Sequence, residues 1–112
     1  MIDITKISGI GPFIKETEQL DEFNSRNLYK LESNNKAFLV VNKNTLELRT
    51  DDKLGKLLIE KYESIMESRY FGRGGLEIVS SADQLEPAEL EDLIRLSYNL
   101  TKQLYIKPYT FL

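Results

Sequence analysis

Ala37-Phe38-Leu39-Val40-Val41 is a nearly unbroken apolar run set between two turn-forming triplets, Ser33-Asn34-Asn35 and Asn42-Lys43-Asn44. A short apolar run bounded by such turns reads as a central strand. Before it, Leu28-Tyr29-Lys30-Leu31 alternates apolar and polar side chains, and after it Thr45-Leu46-Glu47-Leu48-Arg49 does the same. The triplets suit hairpin connections. Together the three segments predict an antiparallel meander with one face buried.

Working outward, Thr50-Asp51-Asp52 supplies N-cap oxygens and negative charge where a helix dipole favours them. The helix it opens is expected to run to about Met66. Leu54, Leu57, Leu58, Tyr62 and Ile65 recur on one face, with Lys53, Lys56, Glu60 and Glu63 on the other. Residues 67–75 hold Gly72, Gly74 and Gly75 and read as a loop or irregular strand. Leu76-Glu77-Ile78-Val79 is a fourth strand, and Ser80-Ser81-Ala82-Asp83-Gln84 is turn-like.

A last helix is expected from near Pro87, which suits a first helical position, with Glu89, Glu91 and Asp92 complementing its dipole. Leu90, Leu93, Ile94, Ser97, Leu100 and Leu104 form its inner face. Lys102 and Lys107 lie near its end, and Pro108 stops it.

The first 25 residues are the hardest to read. Ile4, Ile7, Ile10 and Phe13 are spaced by three, but Gly9-Ile10-Gly11-Pro12 interrupts any helix. Gly9-x-Gly11 lacks the preceding strand and third glycine of a phosphate loop. A second short helix is expected over residues 12–23, with Phe13, Leu20 and Phe23 facing the core. Strands that cluster ahead of a helix argue for α+β. The expected architecture is a small antiparallel sheet of four to five strands with helices on one face, one domain over residues 1–112.

Composition narrows the chemistry. With neither cysteine nor histidine, the chain has no disulfide, thiolate or His-based triad, and a metal would need oxygen ligands alone. General acid–base work would fall to Asp, Glu, Lys or Tyr. Glu60 with Glu63, and Glu89 with Asp92, stand one helical turn apart, but carboxylates on exposed helix faces serve solvation and the dipole. No catalytic residue and no cofactor is expected. Met1-Ile2-Asp3-Ile4-Thr5-Lys6 lacks the basic and apolar regions of a signal peptide, and no apolar run is long enough to span a membrane. A cytoplasmic protein is expected.

The net charge of −3 is uneven. Residues 1–25 and 74–112 are each acidic, while residues 26–73 carry an excess of basic side chains. That excess either presents a basic surface or solvates strands and a helix.

Several stretches are more specific than the element order. They are Lys36-Ala37-Phe38-Leu39, Leu46-Glu47-Leu48-Arg49-Thr50-Asp51, Leu57-Leu58-Ile59-Glu60-Lys61-Tyr62, Glu67-Ser68-Arg69-Tyr70 and Leu93-Ile94-Arg95-Leu96-Ser97-Tyr98-Asn99-Leu100. The run from about residue 28 to 104 resembles the MmcQ/YjbR family of small bacterial proteins, most specifically in its closing Leu-Ile-x-x-Ser-Tyr-x-Leu. The resemblance implies a compact fold of the secretion-chaperone-like or frataxin-like kind, and members are often named DNA-binding. The chain departs from the family in Phe71-Gly72-Arg73-Gly74-Gly75-Leu76, where members often carry further basic residues and a Trp. Its N-terminal segment also differs.

Two binding readings follow. For nucleic acid, a Gly-rich wing with Arg69 and Arg73, helped by Lys53, Lys56 and Arg49, would neutralise phosphates while Tyr70 and Phe71 stack on bases. A pI near 5 and the lack of a readout motif weigh against it, and the two aromatics fit equally as plugs under the loop. For protein, the apolar tail Tyr109-Thr110-Phe111-Leu112 and the acidic helix start at residues 86–92 would meet a partner or a second copy in a homodimer. Tyr109, Phe111 and Leu112 are the contact residues of that reading. Ser97 and Tyr98 are expected to be structural.

Overall fold

The computed structural model describes residues 3–104. Its sheet has six antiparallel strands: β1 (Phe13–Gln19), β2 (Ser25–Leu31), β3 (Ala37–Val41), β4 (Thr45–Arg49), β5 (Ile65–Ser68) and β6 (Gly72–Val79), in the order β1-β2-β3-β4-β6-β5. Two helices, α1 (Asp52–Lys61) and α2 (Pro87–Gln103), pack on one face. The fold is α+β, as expected, with one or two strands more than the sequence implies.

Both helix starts follow from local chemistry. The Asp51 carboxylate accepts the Leu54 backbone N–H at 2.8 Å, so it caps α1. At α2 the Glu89 carboxylate accepts the Glu86 N–H at 3.0 Å, and Pro87 needs no partner for a missing donor.

The core lies between helices and sheet. Leu31, Phe38, Leu39, Leu48, Leu76 and Ile78 from the strands meet Leu93, Ile94 and Tyr98 of α2. Ile4 and Ile7 join it from the N-terminal segment, where residues 4–6 make a single 3-10 turn. Ser97 is fully buried and joins two strands to α2. Its hydroxyl donates to the Phe38 carbonyl at 2.6 Å and accepts the Arg49 N–H at 2.8 Å. Tyr98 stacks edge-on against Phe38, and its hydroxyl lies so near Gly11 that a Cβ there would come within 2.5 Å of it.

The expectations for residues 12–23 and for α1 are corrected. Residues 12–23 form no helix: Phe13–Gln19 is the edge strand β1. Its partners are non-local, with Glu16 bound to Lys30 at 2.8 Å, Glu18 to Arg26 and the Thr17 hydroxyl to Asn27. These cross-strand pairs outweigh a helical signal that rested on Pro12. Leu20 and Phe23 therefore leave the core for an exposed turn, while Phe13 still packs against it.

Helix α1 ends at Lys61 instead of Met66, because Tyr62 turns extended and Ile65 is buried within β5, and Leu57, expected on the inner face with Leu54 and Leu58, is 64% exposed on the outer face beside Lys53. The glycine-rich stretch belongs to a β-hairpin whose register shifts at Glu67/Ser68. Residues 105–112, with Lys107, Pro108, Tyr109, Phe111 and Leu112, lie outside the described residues.

Candidate functional site

The face of the sheet away from the helices is also covered. Leu28, Val40, Glu47 and Glu77 are register partners in one row across β2, β3, β4 and β6, and all are buried. The cover is the β5–β6 turn, residues 69–71, folded back over this row. Gly75 permits the fold, since a Cβ at that position would stand 2.7 Å from the Phe71 Cβ and 2.9 Å from the Ser68 Cβ.

Glu47, 2% exposed, holds the turn down. One carboxylate oxygen accepts the Ser68 hydroxyl and the Tyr70 N–H, both at 2.8 Å, and the other accepts the Asn42 amide at 2.8 Å. Opposite it, Glu77 is 1% exposed. Arg69 binds Glu77 through two nitrogens at 2.9 and 2.7 Å, and the Thr45 hydroxyl adds a third bond at 2.7 Å. The Arg69 guanidinium holds the Glu77 carboxyl below the usual carboxylate range, against the opposing effect of burial.

Tyr70 and Phe71 form the outer surface of this cover. The Arg26 guanidinium lies 5.1 Å from the Tyr70 ring centre, and that of Arg49 lies 4.6 Å from the Phe71 ring centre. The aromatics thus seal the second face of the sheet, not the helix-side core. A shallow polar hollow of about 320 Å³ remains beside them, lined by Leu20, Arg26, Asn42, Glu47, Arg69 and Tyr70. Both arginines of this hollow are already paired with carboxylates, and every oxygen of Glu47 is engaged. Among the described residues no acidic set comes together to hold a metal ion.

The basic residues expected to act together are divided. Arg69 serves Glu77. Arg49 is half-buried, its Nε donating to the Ala37 carbonyl, and burial lowers its pKa. Arg73 projects from β6 with its side chain 87% exposed, 4.0 Å from Asp52 at the start of α1. Lys53 and Lys56 are exposed along α1.

A second hollow, of about 340 Å³, opens where the ends of β3, β4 and β6 meet the start of α2. Val41, Leu46, Ile78, Leu85 and Leu90 make its apolar floor, and Lys43 and Asp83 stand at its rim. The exposed carboxylates Glu86 and Glu89 begin α2 beside it. This hollow adjoins the acidic helix start singled out in the sequence, but its apolar floor is gathered from four separate segments.

Glu47 and Glu77 were missed because each occupies a polar position of an alternating strand. A signal was present: the unbroken apolar run of β3 puts Val40 on the same face as Glu47, which means both faces of that strand are covered. Among the described residues no helix is long and apolar enough to cross a membrane. Comparison with family models, characterised proteins and solved structures finds no significant match to this chain.

Proposed function

We propose that this chain is a non-enzymatic binding module of the MmcQ/YjbR type, acting in the cytoplasm on a partner protein. The observation that carries the reading is the apolar hollow at the start of α2, flanked by Asp83, Glu86 and Glu89. Concave apolar surface with a charged rim suits an anchoring side chain from a partner. The acidic flank selects a segment in which that anchor is followed or preceded by Lys or Arg.

Panning a displayed random-peptide library on the protein tests this. Enrichment of an apolar residue beside basic ones is expected, with loss of the enrichment in the Leu85→Asp variant. No enrichment, or equal enrichment on the variant, would remove the reading.

Arg73 supports a second reading. It is exposed and only loosely paired, and with Lys53 and Lys56 it leaves a DNA backbone contact open. Anisotropy of a labelled duplex separates the two. DNA binding predicts affinity that falls with salt and a shallower salt dependence in Arg73→Glu. The protein-binding reading predicts no duplex binding near physiological salt.

A further inference from the structure

We infer that copies of this chain associate head-to-tail, the β1–β2 tip of one seated on the outer face of α1 of the next. The inference does not use the hollow at α2, so it stands apart from the protein-binding reading, and it shares only Lys53 and Lys56 with the DNA reading.

The tip is a built turn. The Asp21 carboxylate accepts the Phe23 N–H at 2.8 Å, the Asn24 N–H at 2.9 Å and the Asn24 amide at 3.0 Å. The Leu20 N–H closes the loop on the Asn24 carbonyl at 2.8 Å. This bonding holds Phe23 89% exposed and Leu20 51% exposed, with Asp21 and Glu22 between them. An ordered turn that keeps an aromatic ring and a leucine in water presents apolar surface beside two negative charges.

The outer face of α1 carries the complement. Leu57 is 64% exposed. Lys53 and Lys61 stand one turn to either side of it on the same face, with Lys56 adjacent. Against these three lysines α1 carries two acids, Glu60 and, in its first turn, Asp52, so the local charge stays positive.

Charge chooses the pairing. Tip against tip would set Asp21 and Glu22 against their own copies, and helix against helix would do the same with the lysines. Tip against helix places acids on lysines and Phe23 beside Leu57. The two surfaces belong to opposite edges of the sheet, since β1 ends one side while α1 packs on β5 and β6 at the other. A contact between unlike surfaces so placed is heterologous and leaves one of each free.

Sedimentation equilibrium across a concentration series tests the inference. The wild-type mass is expected to rise above the 13.0 kDa of one chain as concentration increases, and to fall back with added salt. Phe23→Asp and Leu57→Asp alter exposed residues and are expected to fold, which circular dichroism and thermal melts check. Each alone should remain at one-chain mass. Mixed in equal amounts, they should form a two-chain species and nothing larger, because each keeps the surface the other lacks. A wild type that stays at one-chain mass, a single variant that assembles like wild type, or a mixture that stays unassembled would each overturn the inference.

Discussion

Glu47 and Glu77 sit opposite one another on β4 and β6, and their burial is tolerable because every oxygen has a donor. Removing an acceptor is then costlier than losing one bond. Glu47→Ala leaves the Tyr70 N–H unpaired, takes the acceptor from the Ser68 O–H and one of the two Asn42 amide bonds, and opens a void, so a loss of about 3 kcal/mol is expected from urea unfolding. Glu77 predicts a pH dependence. Its folded carboxyl titrates below the ordinary glutamate range, chiefly through Arg69, so the unfolded state binds more protons as pH falls. Its stabilisation is fully present above the unfolded-state pKa and lost as pH drops through the lower, folded pKa. Glu77→Gln should flatten the acid limb of a plot of urea midpoint against pH; an unchanged limb would place the dependence on other carboxylates. Alternation marks both glutamates as solvent-facing, and the one cue against that is the unbroken apolar run of β3, which puts Val40 on the face of Glu47.

At the scale of elements, α2 and its caps were legible because their determinants are local: Pro87, the acids of the first turn and the spacing of Leu93, Ile94 and Ser97. Ser97 also does something its helix position does not announce, bridging β3 and β4 through two backbone bonds. Ser97→Ala should cost about 2 kcal/mol in urea unfolding by orphaning the Phe38 carbonyl and Arg49 N–H. Strand β1 was illegible for the opposite reason. Six of its seven residues are exposed, so it carries no apolar period, and Lys30, Arg26 and Asn27 of β2 hold it instead. The β5–β6 hairpin depends on the bare backbone at Gly75. Gly75→Ala should destabilise by about 1–3 kcal/mol through overpacking against Phe71 and Ser68, and should speed hydrogen exchange at the Tyr70 amide.

For the whole molecule, the unusual feature is a sheet covered twice, by helices on one face and by its own hairpin turn on the other. That second cover engages Arg69 and Arg49, which sets them apart from the exposed Arg73, Lys53 and Lys56. Mutating Arg69 should lower thermal stability more than Arg73→Glu does, a comparison that melting curves decide. The sequence by itself determined the α+β class, the meander from β2 to β4, both helix starts and the absence of thiol and imidazole chemistry. Each of these depends on composition or on neighbours within a few residues. Only the tertiary structure decided the buried glutamate pair, the hairpin turn folded over it and the hollow at α2. Those depend on contacts between segments far apart in the chain, where the partner and not the local pattern sets the energy.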